Sequence, residues 1–410
     1  MISVRQIRQN NSTIGLLFWF LGLSLSHIFL QTAAIVLFLL FILNRKGLDL
    51  RSTEFWILGG LFVVSLMSTF RASPLPFWKA LPATMPFLIL FAGIPLKHIC
   101  HAQINEKASS WIWIFVLLAT IPAVFGIVDH HQGAQRSAGV FGGIYNLSIL
   151  MATSLPITMG LLLKTRSLYP NAILAGLIAC HFLALWYTAT RAAFLAVLVS
   201  MGLWTLRYLL QYLRSSDHKT FFIQGLTVAT VPFILFLMII TSDDYRINPF
   251  FNPPSDLYAT GQADLTTYRI DIIKDALRIL ESDLASGAYG HLFLGYGAFS
   301  RKRLVESIHI SWQSDYLQIL MDSGLLGLIL VLLLYLRFLW LAGRKTGHPD
   351  PIMQAFAWAA FGYFLMSFLT LQMTGLYGAG IFVLLYTFLS LNRPGPGPTM
   401  PNGKSGPPPL

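Results

Sequence analysis

Trp312-Gln313-Ser314-Asp315-Tyr316-Leu317-Gln318-Ile319-Leu320 marks where a long polar stretch turns into a hydrophobic span. Gly324-Leu325-Leu326-Gly327 follows, and the chain then stays apolar to about residue 342. Upstream, the polar interruption runs from about 241 to 315. Nowhere else does this apolar chain stay out of a bilayer for more than a short loop. Any chemistry is expected to face it.

The rest of the chain explains why this stretch stands out. Of 410 residues, 55% are hydrophobic and only 11% are charged. A soluble globular protein carries roughly 25% charged residues. The reading is an all-α polytopic membrane protein. The net charge of +11 would suggest nucleic acid in a soluble chain. Here it is topogenic lysine and arginine, and no nucleic-acid partner is expected. The two cysteines fall in a cytoplasmic loop (Cys100) and inside a helix (Cys180), so neither a disulfide nor a metal site is expected. The start, Met1 to Asn11 with Arg5 and Arg8, leads straight into the first two apolar runs and reads as an uncleaved first span.

Apolar runs able to cross or nearly cross a bilayer fall at about 12–28, 29–44, 55–70, 77–96, 108–128, 143–163, 171–189, 191–213, 220–241, 316–342, 351–373 and 376–392. They predict about twelve transmembrane helices and one large loop carrying short helices. The corresponding units are 1–241 (nine spans), 242–315 (the loop), 316–393 (three spans) and a Pro- and Gly-rich tail, 394–410, expected to be disordered and cytoplasmic. With both termini inside, 17 of the 28 Lys and Arg lie in inside segments. Short outside loops hold only Arg71, Lys79, Arg136 and Arg191. Short loops set orientation, so the bias places the long loop outside the cytoplasm.

Inside that loop, 264–280 reads as an amphipathic helix. At roughly 100° per residue, Leu265, Ile272, Ile273, Ala276 and Leu280 share one face, and Asp271, Lys274, Asp275 and Arg278 the opposite one. Arg269 projects from the apolar face. Either its stem covers apolar surface while its head escapes to water, or its planar fork grips an anion such as phosphate. Arg191, at the outer mouth of a span after Thr188-Ala189-Thr190, is either an interfacial anchor or a second such group. Arg301-Lys302-Arg303 reads as a solvated or headgroup-facing run, and Gly295-Tyr296-Gly297 as a sharp bend. Gln313 can position a hydroxyl but cannot take its proton. His309, four residues earlier, shares a helix face with it if the helix begins that early. Asp315 could serve as a base but would point roughly the other way.

Taken together, these residues resemble the O-antigen ligase and O-antigen polymerase superfamily of bacterial envelope glycosyltransferases. The resemblance is carried by the span count and the large late loop. It also rests on Thr190-Arg191-Ala192, Arg269, Gly295-Tyr296-Gly297-Ala298-Phe299, Ser314-Asp315-Tyr316-Leu317-Gln318 and Gly324-Leu325-Leu326-Gly327, with Gly139-Val140-Phe141 before the sixth span. It implies metal-independent, inverting transfer of a glycan from undecaprenyl diphosphate at the periplasmic face of the inner membrane, with no cofactor. Ligases move the glycan to lipid A–core, and polymerases move it to another repeat unit. The family's arginines, matched by Arg191 and Arg269, hold the diphosphate and stabilise the leaving group. From this come two expectations: that the two guanidiniums line one cavity, and that Gln313 lies on its acceptor side.

One position departs from the family. Gln313 stands where a histidine opens the His-Ser-Asp-Tyr-Leu-Gln type of stretch, and that histidine is taken to be the general base. Three readings follow. His309 replaces it, or transfer runs without a strong base, or the chain only binds and carries the lipid-linked glycan. A shape-determining peptidoglycan polymerase has a similar architecture, but no match to its acidic loop motif is found.

Overall fold

The computed structural model describes residues 4–43, 53–72, 77–141, 143–214, 218–244, 247–248, 269–298, 300–305 and 311–391. His309, the first part of the expected loop helix (264–268) and the 394–410 tail lie outside them. The described residues form helices and turns with no strand: α1 Val4–Ser24, α2 His27–Leu43, α3 Thr53–Ala72, α4 Phe77–His131, α5 Ile144–Lys164, α6 Leu168–Tyr187, α7 Arg191–Arg214, α8 His218–Thr241, α9 Arg269–Ser286, α10 Tyr289–Leu294, α11 Ser300–Leu304, α12 Asp315–Lys345, α13 Pro351–Leu369 and α14 Leu376–Leu389.

Among the described residues, eight segments are long and apolar enough to cross a membrane: Thr53–Arg71, Ser109–His131, Ile144–Lys164, Leu168–Tyr187, Arg191–Arg214, His218–Thr241, Asp315–Lys345 and Pro351–Leu369. The other four expected runs coincide with shorter apolar helices at Thr13–Ser24, His27–Leu37, Thr84–Ile94 and Leu376–Leu389. The protein is thus an all-helical membrane protein. Among the described residues, the stretch between 242 and 315 carries the short helices α9, α10 and α11.

One expected loop is absent. Residues 97–107, read as a cytoplasmic connection containing Cys100, are helical and join two runs into α4. The stretch from Lys97 to Lys107 contains neither Gly nor Pro, so nothing in its backbone chemistry stops a helix. The two arms of α4 nevertheless cannot share one straight axis. Gly93 packs on Val383, while Gly126 packs on Gly139, next to Phe141, whose ring meets Tyr377 at 4.6 Å. Val383 and Tyr377 are under two turns apart on α14, whereas a straight helix would separate Gly93 from Gly126 by about 50 Å.

The break expected at 188–190 is present. Ala189 has φ +47°, which ends α6. Arg136 takes up the carbonyls freed there, donating to Thr188 O at 3.0 Å and Ala189 O at 3.4 Å, and also reaches the Thr190 hydroxyl at 3.3 Å. A cation on the last carbonyls of a helix also suits its dipole.

Helices α5 and α13 form the centre of the bundle. Gly160 sits so close to Ala355 and the Pro351 carbonyl that any side chain would collide. Small residues at such crossings let backbones approach inside lipid. Polar groups collect at the two ends. At one end Glu54, which begins α3, accepts from Arg337 (3.0 Å) and Tyr386 (2.8 Å) and lies 3.7 Å from Lys97. At the other, Arg71, which closes α3, donates to Gly290 O at 2.6 Å. The short helices and the Trp312–Asp315 corner therefore sit at the end opposite Glu54.

Candidate active site at the Arg269–Gln313 cavity

The corner begins with two glycines. Helix α12 is broken at Gly324 (φ +69°, ψ −169°), so Asp315–Ser323 forms a separate outer arm. Gly295 (φ +75°) lies against this break. A Cβ on Gly295 would sit 2.5 Å from the carbonyl of Asp322, and one on Gly324 would strike the Phe293 carbonyl. The contact is backbone on backbone. Two ladder-like bonds close it, Tyr296 N to Met321 O and Gly297 N to Asp322 O, both 2.8 Å. Thus the Gly-Tyr-Gly bend and the Gly-x-x-Gly start of the span, separate in sequence, form one joint. Gly295→Ala combines a left-handed backbone with a steric clash and should cost at least about 2 kcal/mol. Gly343→Ala, in open space on the same span, should be neutral or slightly stabilising. Thermal unfolding in detergent would compare them, and equal melting temperatures would remove this role of the joint.

A ring of hydrogen bonds then fixes the start of the outer arm. Trp312 N donates to Gln318 Oε1 (3.0 Å) and Trp312 Nε1 to Ser300 Oγ (2.8 Å). Ser300 Oγ and Gln318 Nε2 both donate to the Asp322 carboxylate. Arg301 closes over the Trp312 ring at 4.9 Å and pairs with Asp275 at 3.1 Å. This corrects the solvated reading of the basic run. Arg301 is buried, and Arg303 donates to the carbonyls of Tyr296, Gly297 and Ala298, while Lys302 is exposed. Tyr296 donates to Asp283, and burial followed by that carboxylate pushes its pKa up.

Asp315 is fully buried and turned away from the corner's open side, as its spacing from Gln313 suggested. Its carboxylate accepts from Gln372 N (2.9 Å), Met373 N (2.7 Å), Thr374 N (3.1 Å) and Thr374 Oγ1 (2.9 Å). It anchors the α13–α14 connection, so its lone pairs are committed.

The open side of the corner is a cavity of about 350 Å³ lined by Arg269, Ile273, Trp312, Gln313, Ser314, Tyr316, Leu317, Leu320, Leu328 and Phe368. Its walls are mostly apolar, with Arg269, Gln313 and Ser314 among its polar residues. Arg269 is the first residue of α9 in the described chain. Among the described residues its Nε is buried with no hydrogen-bond partner. Burial draws its pKa down and the nearby Tyr145 draws it back up, yet a guanidinium stays charged. A half-buried cation with an unpaired donor is suited to an anion. Gln313 has φ +59°, a left-handed conformation uncommon outside glycine, and its amide donates to Ser311 Oγ at 3.3 Å. Backbone strain of this sort often marks working positions.

The structure therefore brings Arg269 and Gln313 to one cavity. Arg191 begins α7 at the same end of the bundle but is not among the residues lining it. Among the described residues, no group of three or more His, Cys, Asp or Glu side chains is placed to hold a metal ion. The apolar wall from Leu320 to Phe368 escaped the sequence reading because its residues look like any span. The spacing of Ile273 on α9 was the available signal.

Residues 175–332, from within α6 to beyond the Gly324 break, match the family model described as O-antigen ligase. That match covers Arg191, Arg269, the joint, Gln313 and most of the cavity lining. No curated protein matches the chain.

Proposed function

We propose, from the match of residues 175–332 to the O-antigen ligase family model, that the chain transfers a glycan from undecaprenyl diphosphate to an acceptor at the periplasmic face of the inner membrane, by ligation to lipid A–core. The observation that carries this reading is the cavity itself. It joins an apolar wall, suited to a polyprenyl chain, to an arginine with an unpaired buried donor, suited to diphosphate. In the proposed reaction the acceptor hydroxyl attacks the anomeric carbon from the face opposite the diphosphate. The bond to the diphosphate breaks, and undecaprenyl diphosphate leaves with Arg269 holding its charge. Arg191, at the same end, is the proposed second arm on the diphosphate. Preorganised cations at developing phosphate charge do here what a metal ion does elsewhere, so no metal is invoked. The hydroxyl proton passes to water or to the departing diphosphate, because Gln313 cannot hold it.

Polymerisation onto another repeat unit uses the same donor chemistry and differs only in the acceptor. Gln313 favours one reading of another class, a carrier that binds the lipid-linked glycan without transferring it. The deciding experiment incubates purified protein with an undecaprenyl diphosphate glycan and either lipid A–core or a second lipid-linked glycan, without added metal. Product on lipid A–core supports ligation, and product on the second glycan replaces it by polymerisation. Donor binding without product in either case supports the carrier. Both termini are proposed to be cytoplasmic. Single-cysteine labelling at Lys302 from outside and at Lys97 and Lys345 from inside is expected, and labelling of position 302 only from the cytoplasm would reverse the map.

A further inference from the structure

Helix α9 has more than the two faces that its sequence suggests. Ile272 and Ala276 are buried, and Ile279 and Leu280 pack with them against Trp312, Met321 and Leu317. That face holds α9 to the outer arm of α12. A second stripe, Ile270, Ile273, Leu277 and Leu284, is about half exposed, at 52%, 49%, 52% and 51%. At roughly 100° per residue these four fall within about 60° of one another and about 110° from the centre of the buried face. Lys274 and Arg278 lie on the remaining side, 66% and 79% exposed. The helix thus has a protein face, a bare apolar stripe and a water face.

We propose that the bare stripe is seated in the bilayer, with α9 lying at the boundary between headgroups and acyl chains beside the cavity. The apolar surface is continuous: Ile273 shares the cavity wall with Leu320, Leu328 and Phe368, which belong to membrane-spanning α12 and α13. Below the Gly324 break, the exposed surface of α12 continues as Leu326, Ile329, Leu332, Leu333 and Leu336. A helix with an apolar stripe beside a polar face lies in such an interface. The charges on the water side are paired within the helix, Lys274 with Asp271 (3.8 Å) and Arg278 with Asp275 (3.9 Å). The hold is therefore apolar, and it should persist at high salt and without anionic lipid. This seating does not depend on any transfer activity.

The test uses full-length protein with Cys100 and Cys180 replaced by alanine, reconstituted into phosphatidylcholine liposomes. An environment-sensitive fluorophore is placed on Leu277→Cys and, separately, on Lys274→Cys. At 277 we expect blue-shifted emission, strong quenching by lipids carrying a spin label high on the acyl chain, and little quenching by aqueous iodide, all unchanged by salt. At 274 the quenching pattern should reverse. Ile270→Cys repeats the 277 measurement should that variant misfold. Equal iodide quenching at both positions would overturn the proposal. So would a blue shift at 277 without lipid quenching, which would mean that another copy of the chain covers the stripe.

Discussion

Arg269→Lys is expected to lose transfer activity by about 10²–10³-fold, the usual loss when one preorganised donor to developing charge is removed. Lysine keeps the charge but loses the planar fork, and its ammonium is a hydrated point that fits diphosphate oxygens differently. The expectation rests on its Nε, which is buried without a hydrogen-bond partner among the described residues. Arg278→Lys is the control on the same helix. Its side chain is 79% exposed and lies 3.9 Å from Asp275. Exposed pairs of this type contribute little, so that variant should transfer at the wild-type rate. Single-turnover rates on saturating donor would separate chemistry from binding. Equal losses at 269 and 278 would sink the assignment of Arg269 to the diphosphate.

Gln313→His should do the reverse and raise turnover, by up to about 10²–10⁴-fold, the range that a positioned general base supplies. The backbone there already accommodates such a residue, since histidine is among the types enriched at positive φ, and Gln313 has φ +59°. A new base carries its own signature. It works only when neutral, so the gain should appear as pH rises through about 6.5, an ordinary histidine value. The parent protein should lack that step. In this account His309→Ala changes little. If His309 is the base, the pattern inverts: His309→Ala abolishes transfer and Gln313→His adds almost nothing.

Much of this was legible in the chain. Hydropathy located the apolar runs, and Thr188-Ala189-Thr190 broke the 171–213 run where Ala189 takes its positive φ. The Gly-Tyr-Gly piece announced a sharp bend, whereas Gly324-Leu325-Leu326-Gly327 read only as the entry to a span. That they meet each other was hidden, because the contact joins carbonyls and amides that carry no side-chain code. The helix through 97–107 was misread because a polar helical bend and a polar loop have the same composition. Arg301 was misread because its partners, Asp275 and the Trp312 ring, lie far away in sequence. Arg269 and Gln313 were placed by their chemistry, and the structure supplied the cavity that relates them. Arg191 lies outside that cavity's lining, so its role on the diphosphate rests on the resemblance and on its place at the same end of the bundle.

Photocrosslinking asks whether this cavity takes the polyprenyl diphosphate donor. A photoreactive residue replaces Leu320, in the apolar wall, or Phe222, in a second apolar cavity of about 200 Å³ between α7 and α8. Protein in liposomes is irradiated with a labelled undecaprenyl diphosphate glycan. An adduct is expected at 320 that unlabelled undecaprenyl diphosphate competes away and Arg269→Ala weakens, with none at 222. An adduct at 222 and none at 320 would contradict it.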